Sequence, residues 1–258
     1  MTANLPMAAL QLYTLREQAA LDFPGVLSQV AEMGYVGVEP AGLHGHPASE
    51  IRKVLDDLGL QVSSTHGPLP DEEKAVAGLE DHVILGSAEL YVSLGRDWFS
   101  SPDQVLRAAD RMAAGALACN KVGMRLGYHN HWWEFATQPD GRSYYAAFLD
   151  ALTARGLELP LEVDLYWVKV GGADPAELIK DLSSAVTHVH VKDGPATVEE
   201  PMVALGEGVM DLPVILRASS SLRWHIVELD RCATDMAEAA RKSIAYLSDQ
   251  GLSQTRLG

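Results

Sequence analysis

Histidine and acidic side chains gather where strands are predicted to end in this 258-residue chain. Seven of the nine histidines lie at or just beyond such ends: His44, His46, His66, His129, His131, His188 and His190. The carboxylates of Glu134, Asp164 and Glu228 follow the ends of three different strands, the fifth, sixth and eighth. Imidazole nitrogens and carboxylate oxygens together bind Mn²⁺, Mg²⁺, Co²⁺ or Zn²⁺, and the mixture selects none of them. The spacing is too long for a local motif, so a metal site is predicted only if the fold brings these ends together.

Short apolar runs alternate with segments of helical period along the whole chain. Strands are predicted at 7–15, 35–39, 60–65, 88–94, 124–130, 159–168, 186–191 and 224–229. Helices are predicted near 23–33, 48–58, 70–85, 103–120, 142–155, 174–182, 211–219 and 233–248. This alternation indicates a parallel sheet with right-handed crossovers.

Eight β-α units in a chain of 258 residues match the size of a closed barrel. An open doubly wound sheet is the alternative, and it is disfavoured because no Gly-x-Gly-x-x-Gly turn follows the first strand. The prediction is therefore an α/β fold, a single (β/α)8 TIM barrel in one domain over residues 1–258. Such a barrel carries its working residues at the carboxyl ends of the strands.

Composition excludes several classes of function. Hydrophobic residues make up 47%, enough for a large core, and the formal net charge of -15 argues against a protein that coats nucleic-acid phosphates. That acidity suits a neutral sugar better than a highly charged one. Mean hydropathy is near zero and no apolar run reaches about 18 residues, so no membrane span is expected.

The cysteines and the N-terminus bear on the cellular location. Cys119 and Cys232 form no Cys-x-x-Cys pair, which favours a reducing compartment. Residues 1–6 contain neither a basic region nor an apolar region, so no secretory signal is expected. A cytoplasmic protein is predicted, with a homo-oligomer left open.

The order and spacing of many short segments resemble the sugar phosphate isomerase/epimerase branch of the xylose isomerase-like TIM barrel superfamily. Two of them read Tyr-His-Asn-His at 128–131 and His-Val-His-Val-Lys-Asp at 188–193. The matching segments are 11–16, 32–39, 58–66, 128–135, 164–167, 174–179, 188–193, 206–209 and 226–230. The resemblance is specific at the level of the superfamily and not of the substrate.

The resemblance implies a divalent metal ion, with Mn²⁺ expected first and Mg²⁺, Co²⁺ or Zn²⁺ as alternatives. Its ligands would be a carboxylate after the fifth strand, then Asp164, His190 and Glu228. Many relatives have Glu where this chain has His129, so the first ligand is open between Glu134, which is preferred, and His129. Asp164 has a structural alternative, since it could cap the segment that follows its strand.

The resemblance also implies contacts with a small carbohydrate substrate. The residues expected there are Glu39, His66, His131, Trp167 and Lys192. Trp132, Trp133 and Trp167 could form an apolar wall for a sugar ring, or they could cover the barrel mouth instead. Glu134, Glu228 and His129 are the expected catalytic groups.

Four functions are consistent with these residues to different degrees. The first is a metal-dependent isomerase or epimerase, in which the ion stabilises an enediolate while Glu228 removes the proton beside the carbonyl and Glu134 or a histidine returns it. The second is a dehydratase or 3-keto-glycoside lyase on the same site. A DNA repair endonuclease of the superfamily is opposed by the negative charge. A binding barrel without catalysis is opposed by the retained Asp164, His190 and Glu228.

Overall fold

The computed structural model describes residues 5–257, so residues 1–4, which carry part of the expectation about a secretory signal, lie outside it. It contains nine β-strands. They are β1 (Met7–Gln11), β2 (Gly37–Glu39), β3 (Gln61–Val62), β4 (Thr65–His66), β5 (Glu89–Val92), β6 (Arg125–His129), β7 (Leu161–Asp164), β8 (Val186–Val191) and β9 (Trp224–Val227).

Helices follow the strands on the outside. They are α1 (Arg16–Ala19), α2 (Phe23–Met33), α3 (Ala48–Leu58), α4 (Glu73–Ala77), α5 (Leu79–Ile84), α6 (Pro102–Lys121), α7 (Tyr144–Thr153), α8 (Leu165–Val170), α9 (Pro175–Leu182), α10 (Leu212–Leu216) and α11 (Met236–Asp249). Short 3-10 helices span Leu12–Leu15, Arg96–Phe99, Trp133–Phe135 and Ser183–Ala185. Within residues 5–257, no helix has both the length and the apolar character needed to cross a bilayer.

The strands form one parallel sheet in the order β3-β2-β1-β9-β8-β7-β6-β5-β4. β3 pairs with β2 and β4 pairs with β5, while Ser63 and Ser64 separate the two short strands. The predicted third strand is therefore split, and its two halves lie at the two ends of a nearly closed barrel. The predicted barrel architecture is confirmed, whereas the assignment of residues 1–258 to a single domain stays a prediction.

Valines and histidines alternate along β8, so one type faces the helices and the other faces the inside of the barrel. Val189 and Val191 are fully buried within the apolar core between strands and helices, whereas His188 and His190 lie on the opposite face, inside the barrel. The register places His190 opposite Asp164 of β7. The inside of this barrel is consequently polar at the level of these residues, where many barrels are filled by branched apolar side chains.

Local sequence signals explain most element boundaries. Asp22 accepts a hydrogen bond from the Gly25 amide at the start of α2, and Gly34 ends that helix with a φ of 105°. Three predictions were wrong in extent. The strand predicted at 7–15 ends at Gln11, and a 3-10 helix follows it. The strand predicted at 159–168 ends at Asp164, and the single helix predicted at 70–85 is two helices that meet at Gly78.

Asp193 anchors the long segment that follows β8. Its fully buried carboxylate accepts hydrogen bonds from the backbone amides of Gly194, Gly206, Gly208 and Met210 at 2.9–3.1 Å. The Gly-Glu-Gly stretch at 206–208 therefore folds back on the end of the strand. Glycine at position 208 permits this close approach, because a side chain there would collide with the Asp193 carboxylate.

Replacing Asp193 with Ala is expected to lower the free energy of unfolding by about 3 kcal/mol, because several buried amides lose a charged acceptor. Urea unfolding measures the change. Asp235 at the start of α11 is an exposed control, for which Ala should cost only about 1 kcal/mol. Equal losses for the two variants would contradict the anchoring role.

Stability should also depend on pH through His225 of β9. Burial lowers the pKa of this imidazole to about 3, from an ordinary value of 6.5, and its Nδ1 lies 2.8 Å from the Ser253 hydroxyl. The unfolded chain therefore binds the proton first, and the stabilising contribution is lost as pH falls from 6.5 towards 3. His225→Asn should remove a slope of about 1 kcal/mol per pH unit below pH 6, measured by urea unfolding. An unchanged slope would contradict this assignment.

Candidate metal centre

Four donors meet inside the barrel at the carboxyl ends of β6, β7, β8 and β9. They are His129, Asp164, His190 and Glu228, and each can offer one ligand atom so that all four atoms lie within 4.8 Å of one another. All four side chains are buried, and Glu228 is the most accessible. Because parallel strands bring their ends together, residues far apart in sequence become neighbours here.

His129 is oriented as metal-binding histidines usually are. Its Nδ1 lies 3.0 Å from Glu162 Oε2, so in the tautomer with the proton on Nδ1 this N–H donates to the carboxylate. Its Nε2 then carries a lone pair and lies 3.8 Å from Asp164 Oδ2. A histidine ligand commonly gives its second N–H to a carboxylate in this way. Burial, followed by the positive charge of His190, lowers the pKa of His129 to about 3, which keeps the ring neutral.

Asp164 has two roles in the structure. Its Oδ1 accepts the Trp167 amide at 2.9 Å and caps α8, as the structural alternative for this residue predicted. Its Oδ2 accepts no hydrogen bond of good geometry, although Lys192 Nζ lies 2.8 Å away. Burial raises the pKa of Asp164 to about 6, against the lowering effect of Lys192. A buried carboxylate oxygen that accepts no hydrogen bond is available to bind a cation, so the donors present fit a divalent ion.

His190 is held by carboxylates on both sides of its ring. Nδ1 lies 2.7 Å from Glu228 Oε2, and Nε2 lies 2.7 Å from Glu39 Oε2 and 3.2 Å from Glu162 Oε2. Burial alone would lower the pKa of His190, but the charges of Glu162, Glu228 and Glu39 raise it well above its usual value. For His190 to bind a metal ion through Nδ1, that nitrogen would have to be unprotonated, with the N–H on Nε2 facing Glu39 and Glu162.

Lys192 places a second positive charge at the same point. Its buried ammonium lies 2.8 Å from Asp164, 2.7 Å from Glu228 and 2.6 Å from Asp230. Desolvation opposes the charge, but these three carboxylates raise the pKa of Lys192 well above its usual value. The same ammonium, with His190, keeps the pKa of Glu228 well below its usual range despite burial. Lys192 and His190 thus offset part of the negative charge of the acidic cluster from within the barrel.

Glu134 lies apart from the four donors. Its carboxylate accepts the Tyr128 hydroxyl at 2.7 Å and the His131 amide at 3.0 Å, and it belongs to none of the donor groups formed by the described residues. Burial raises the pKa of Glu134 to about 8, partly offset by these hydrogen bonds. Both oxygens of the Glu134 carboxylate are engaged in these hydrogen bonds. Glu134 as first ligand, the preference from sequence, therefore stays a prediction that this geometry does not support.

The remaining predicted substrate residues occupy different depths. His66, His131 and Lys192 line a pocket of about 240 Å³ directly over the donors, together with Tyr13. Glu39 is fully buried beneath His190 and also accepts hydrogen bonds from Gln11 and Ser64, which is a supporting position. Their roles as substrate contacts stay predictions.

The tryptophans form one aromatic group beside the pocket. The ring centroids of Trp132 lie 4.6 Å from Trp133 and 4.8 Å from Trp167, and His131 stacks on Trp133 at 4.2 Å. Lys192 Nζ lies 5.3 Å from the centre of the Trp167 ring. Trp167 is buried, so its ring contributes a cation–π contact to the Lys192 ammonium.

Sequence reasoning missed Glu162, which joins His129 to His190, and Asp230, which completes the pairing of Lys192. The signal for Glu162 was available, because it precedes Asp164 by two residues and therefore shares its face of β7. Conversely, His44 and His46 pack around Phe23, outside the barrel, and His188 lies deeper, where it contacts Tyr91.

A family model described as xylose isomerase-like TIM barrel matches residues 27–250. The chain belongs to this xylose isomerase-like family. The resemblance inferred from short segments is confirmed at this level, and members of the superfamily include epimerases and dehydratases.

Individual relatives are distant. An inosose dehydratase from Clostridium beijerinckii is 23% identical over 272 residues, covering 88% of this chain and 89% of that protein. A sugar phosphate isomerase/epimerase from Parabacteroides distasonis superposes with a TM-score of 0.81 at 20% identity, over 96% of this chain and 100% of the other. A structure of the IolI protein with a bound zinc atom gives 0.72 at 14% identity, over 95% and 97%. These structural likenesses establish the fold.

Proposed function

We propose that the protein is a metal-dependent enzyme that removes a proton next to the carbonyl of a small carbohydrate, with isomerisation or epimerisation of a ketose or keto-sugar as the outcome. The observation that carries this proposal is the buried set of His129, Asp164, His190 and Glu228 beneath a pocket that also contains Lys192. The pocket lies at the carboxyl ends of the strands, which is where barrels of this kind carry their active sites.

In this proposal His129 is the first metal ligand, in place of Glu134, and Mn²⁺ is expected first. Two imidazole and two carboxylate donors also suit Co²⁺ or Zn²⁺. A divalent ion bound there supplies a Lewis acid that polarises the oxygens of the substrate. A cytoplasmic location belongs to the proposal as well, because Cys119 and Cys232 are not joined in a disulfide.

The side chains around the pocket can divide the proton transfers between them. Glu228 is ionised at neutral pH, and in isomerisation it removes the proton from carbon and returns it to the neighbouring carbon. His131 is kept neutral, because burial, together with the nearby charge of Lys192, lowers its pKa well below the usual value, and it can accept a hydroxyl proton and return it to the carbonyl oxygen. The Lys192 ammonium offsets the negative charge that develops on oxygen.

Elimination of water or of a sugar substituent is the second candidate, and the similarity to an inosose dehydratase over most of the chain favours it. Both reactions begin with the same proton transfer and differ in what leaves. Incubation of the metal-loaded protein with ketoses and inososes in D₂O distinguishes them by NMR and mass spectrometry. Deuterium on carbon with the skeleton intact indicates isomerisation, and loss of water indicates dehydration. Equal rates with and without a chelator would contradict the proposed chemistry.

A further inference from the structure

A second, larger cavity adjoins the pocket above the metal ligands. It has a volume of about 820 Å³ and lies between the segments that follow β2 and β4 and the helices α4, α5 and α6. Ala41 and His66 line both this cavity and the smaller pocket, so the two spaces are neighbours. On the basis of the proposed function, we propose that the substrate is a glycoside of a keto-sugar. Its sugar occupies the pocket above the ligands, and its apolar aromatic aglycone occupies this cavity.

The sizes of the two spaces support two subsites. The pocket over the metal ligands, at about 240 Å³, is below the usual range of about 300–1,000 Å³ for ligand sites, whereas the adjoining cavity lies inside it. Among the described residues, only the single methyl group of Ala41 and the His66 ring are shared by the linings of the two spaces. A substrate that filled only the sugar pocket would leave the larger space unused.

The apolar residues that line the cavity favour an apolar ligand. Its walls include Leu43, Pro68, Leu69, Ala75 and Leu85, which offer apolar surface to a flat ring. These side chains come from four different segments, so the surface encloses the occupant from several sides. An aromatic aglycone would remove this surface from water.

The charges around the cavity oppose an anionic occupant. Asp71, Glu72 and Asp81 face two cations, Lys74 and Arg111. The Arg111 guanidinium is already bonded to Asp71. A phosphate group would therefore meet an excess of negative charge, and a neutral group is favoured.

Two buried polar atoms at the cavity can form a hydrogen bond with a hydroxyl group on the aromatic ring of the aglycone. Asp71 Oδ1 and His82 Nδ1 have no hydrogen-bond partner among the described residues. Burial lowers the pKa of His82, so its ring is neutral and can donate or accept according to its tautomer. A phenolic substituent of the aglycone would satisfy one of them.

Ala75 and Ala77 of α4 make a matched pair for the test. Ala75 lines the cavity, whereas Ala77 is exposed and does not line it, and neither belongs to the metal site. Binding of p-nitrophenyl glucoside and methyl glucoside is measured by calorimetry on the full-length protein and on Ala75→Phe and Ala77→Phe. Wild type and Ala77→Phe should bind the aryl glucoside at least about tenfold tighter than the methyl glucoside, a usual gain for a buried ring. Ala75→Phe should show no preference.

The outcomes separate this inference from the proposed function, because the binding arm needs no turnover. Aryl preference that persists in Ala75→Phe, or no preference or no binding in wild type, overturns the inference. Turnover of the corresponding 3-keto-glucosides is the second arm. An aryl preference in binding without metal-dependent turnover of either keto-glucoside overturns only the proposed function. If Ala75→Phe does not fold, Ala75→Asp places a charge in the same wall and should weaken aryl glucoside binding alone.

Discussion

Lys192→Met is expected to lower the free energy of unfolding of the metal-free protein by about 4 kcal/mol, within the range for breaking a buried ion pair. The ammonium lies within 2.8 Å of Asp164, Glu228 and Asp230, and methionine would leave these carboxylates without their common partner. Asp164 and Glu228 are buried, so their mutual repulsion is weakly screened. Only Asp230 is partly exposed, and it can turn to water.

A divalent ion should restore much of the stability of Lys192→Met, because it binds the folded state alone and offsets the same carboxylates. Chemical unfolding with and without saturating Mn²⁺ or Zn²⁺ measures the recovery. Lys242→Met is the matched control, since Lys242 pairs with Glu207 at 2.9 Å on the surface and should matter by less than about 1 kcal/mol. A Lys192→Met protein as stable as the wild type without metal would contradict the role of Lys192 in offsetting these carboxylates.

Glu228→Gln is expected to reduce kcat for the proposed reaction at least about 10³-fold, within the range of loss for a general base. The variant keeps the shape of the side chain but cannot take a proton, and it loses one negative ligand. Glu199→Gln is a suitable control, because Glu199 is exposed on the segment that follows β8. The rates are compared at equal metal occupancy.

Retention of the wild-type rate in Glu228→Gln would remove this carboxylate from the proton transfer. In that case His131, which lines the same pocket, would be the next base to test. A fall in kcat of the same size in Glu199→Gln would show a loss of folding rather than of chemistry.

The barrel could be predicted because its signals are local. The alternating valines and histidines of β8 and the helix that ends at Gly34 both follow from spacing, and their bounds agree with the structure. The segment after Asp164 was misread as strand because Leu-Tyr-Trp-Val is rich in residues that favour strands. The segment is helix α8, and its start depends on one hydrogen bond, from the Trp167 amide to the Asp164 side chain, which periodicity does not reveal.

The site could be predicted only in part, since its geometry depends on contacts between distant segments. Asp164, His190 and Glu228 were identified by position in the family pattern, and the structure brings them together. The pairing of His129 with Glu162 and the hydrogen bonds that hold Glu134 on Tyr128 depend on side-chain directions inside the closed barrel. Sequence spacing indicates that Glu162 shares the face of Asp164, but it does not indicate which distant side chain either residue contacts.

The most direct test of the proposed metal-dependent chemistry is the metal content of the purified protein and of four variants, measured by mass spectrometry after equilibration with Mn²⁺ or Zn²⁺. The wild type and Glu134→Gln should each retain about one ion per chain, since Glu134 is held away from the four donors. His129→Leu, Asp164→Asn and His190→Leu should each lose the ion. A wild type that binds no ion, or a site that survives His129→Leu and is lost in Glu134→Gln, would contradict the proposed site.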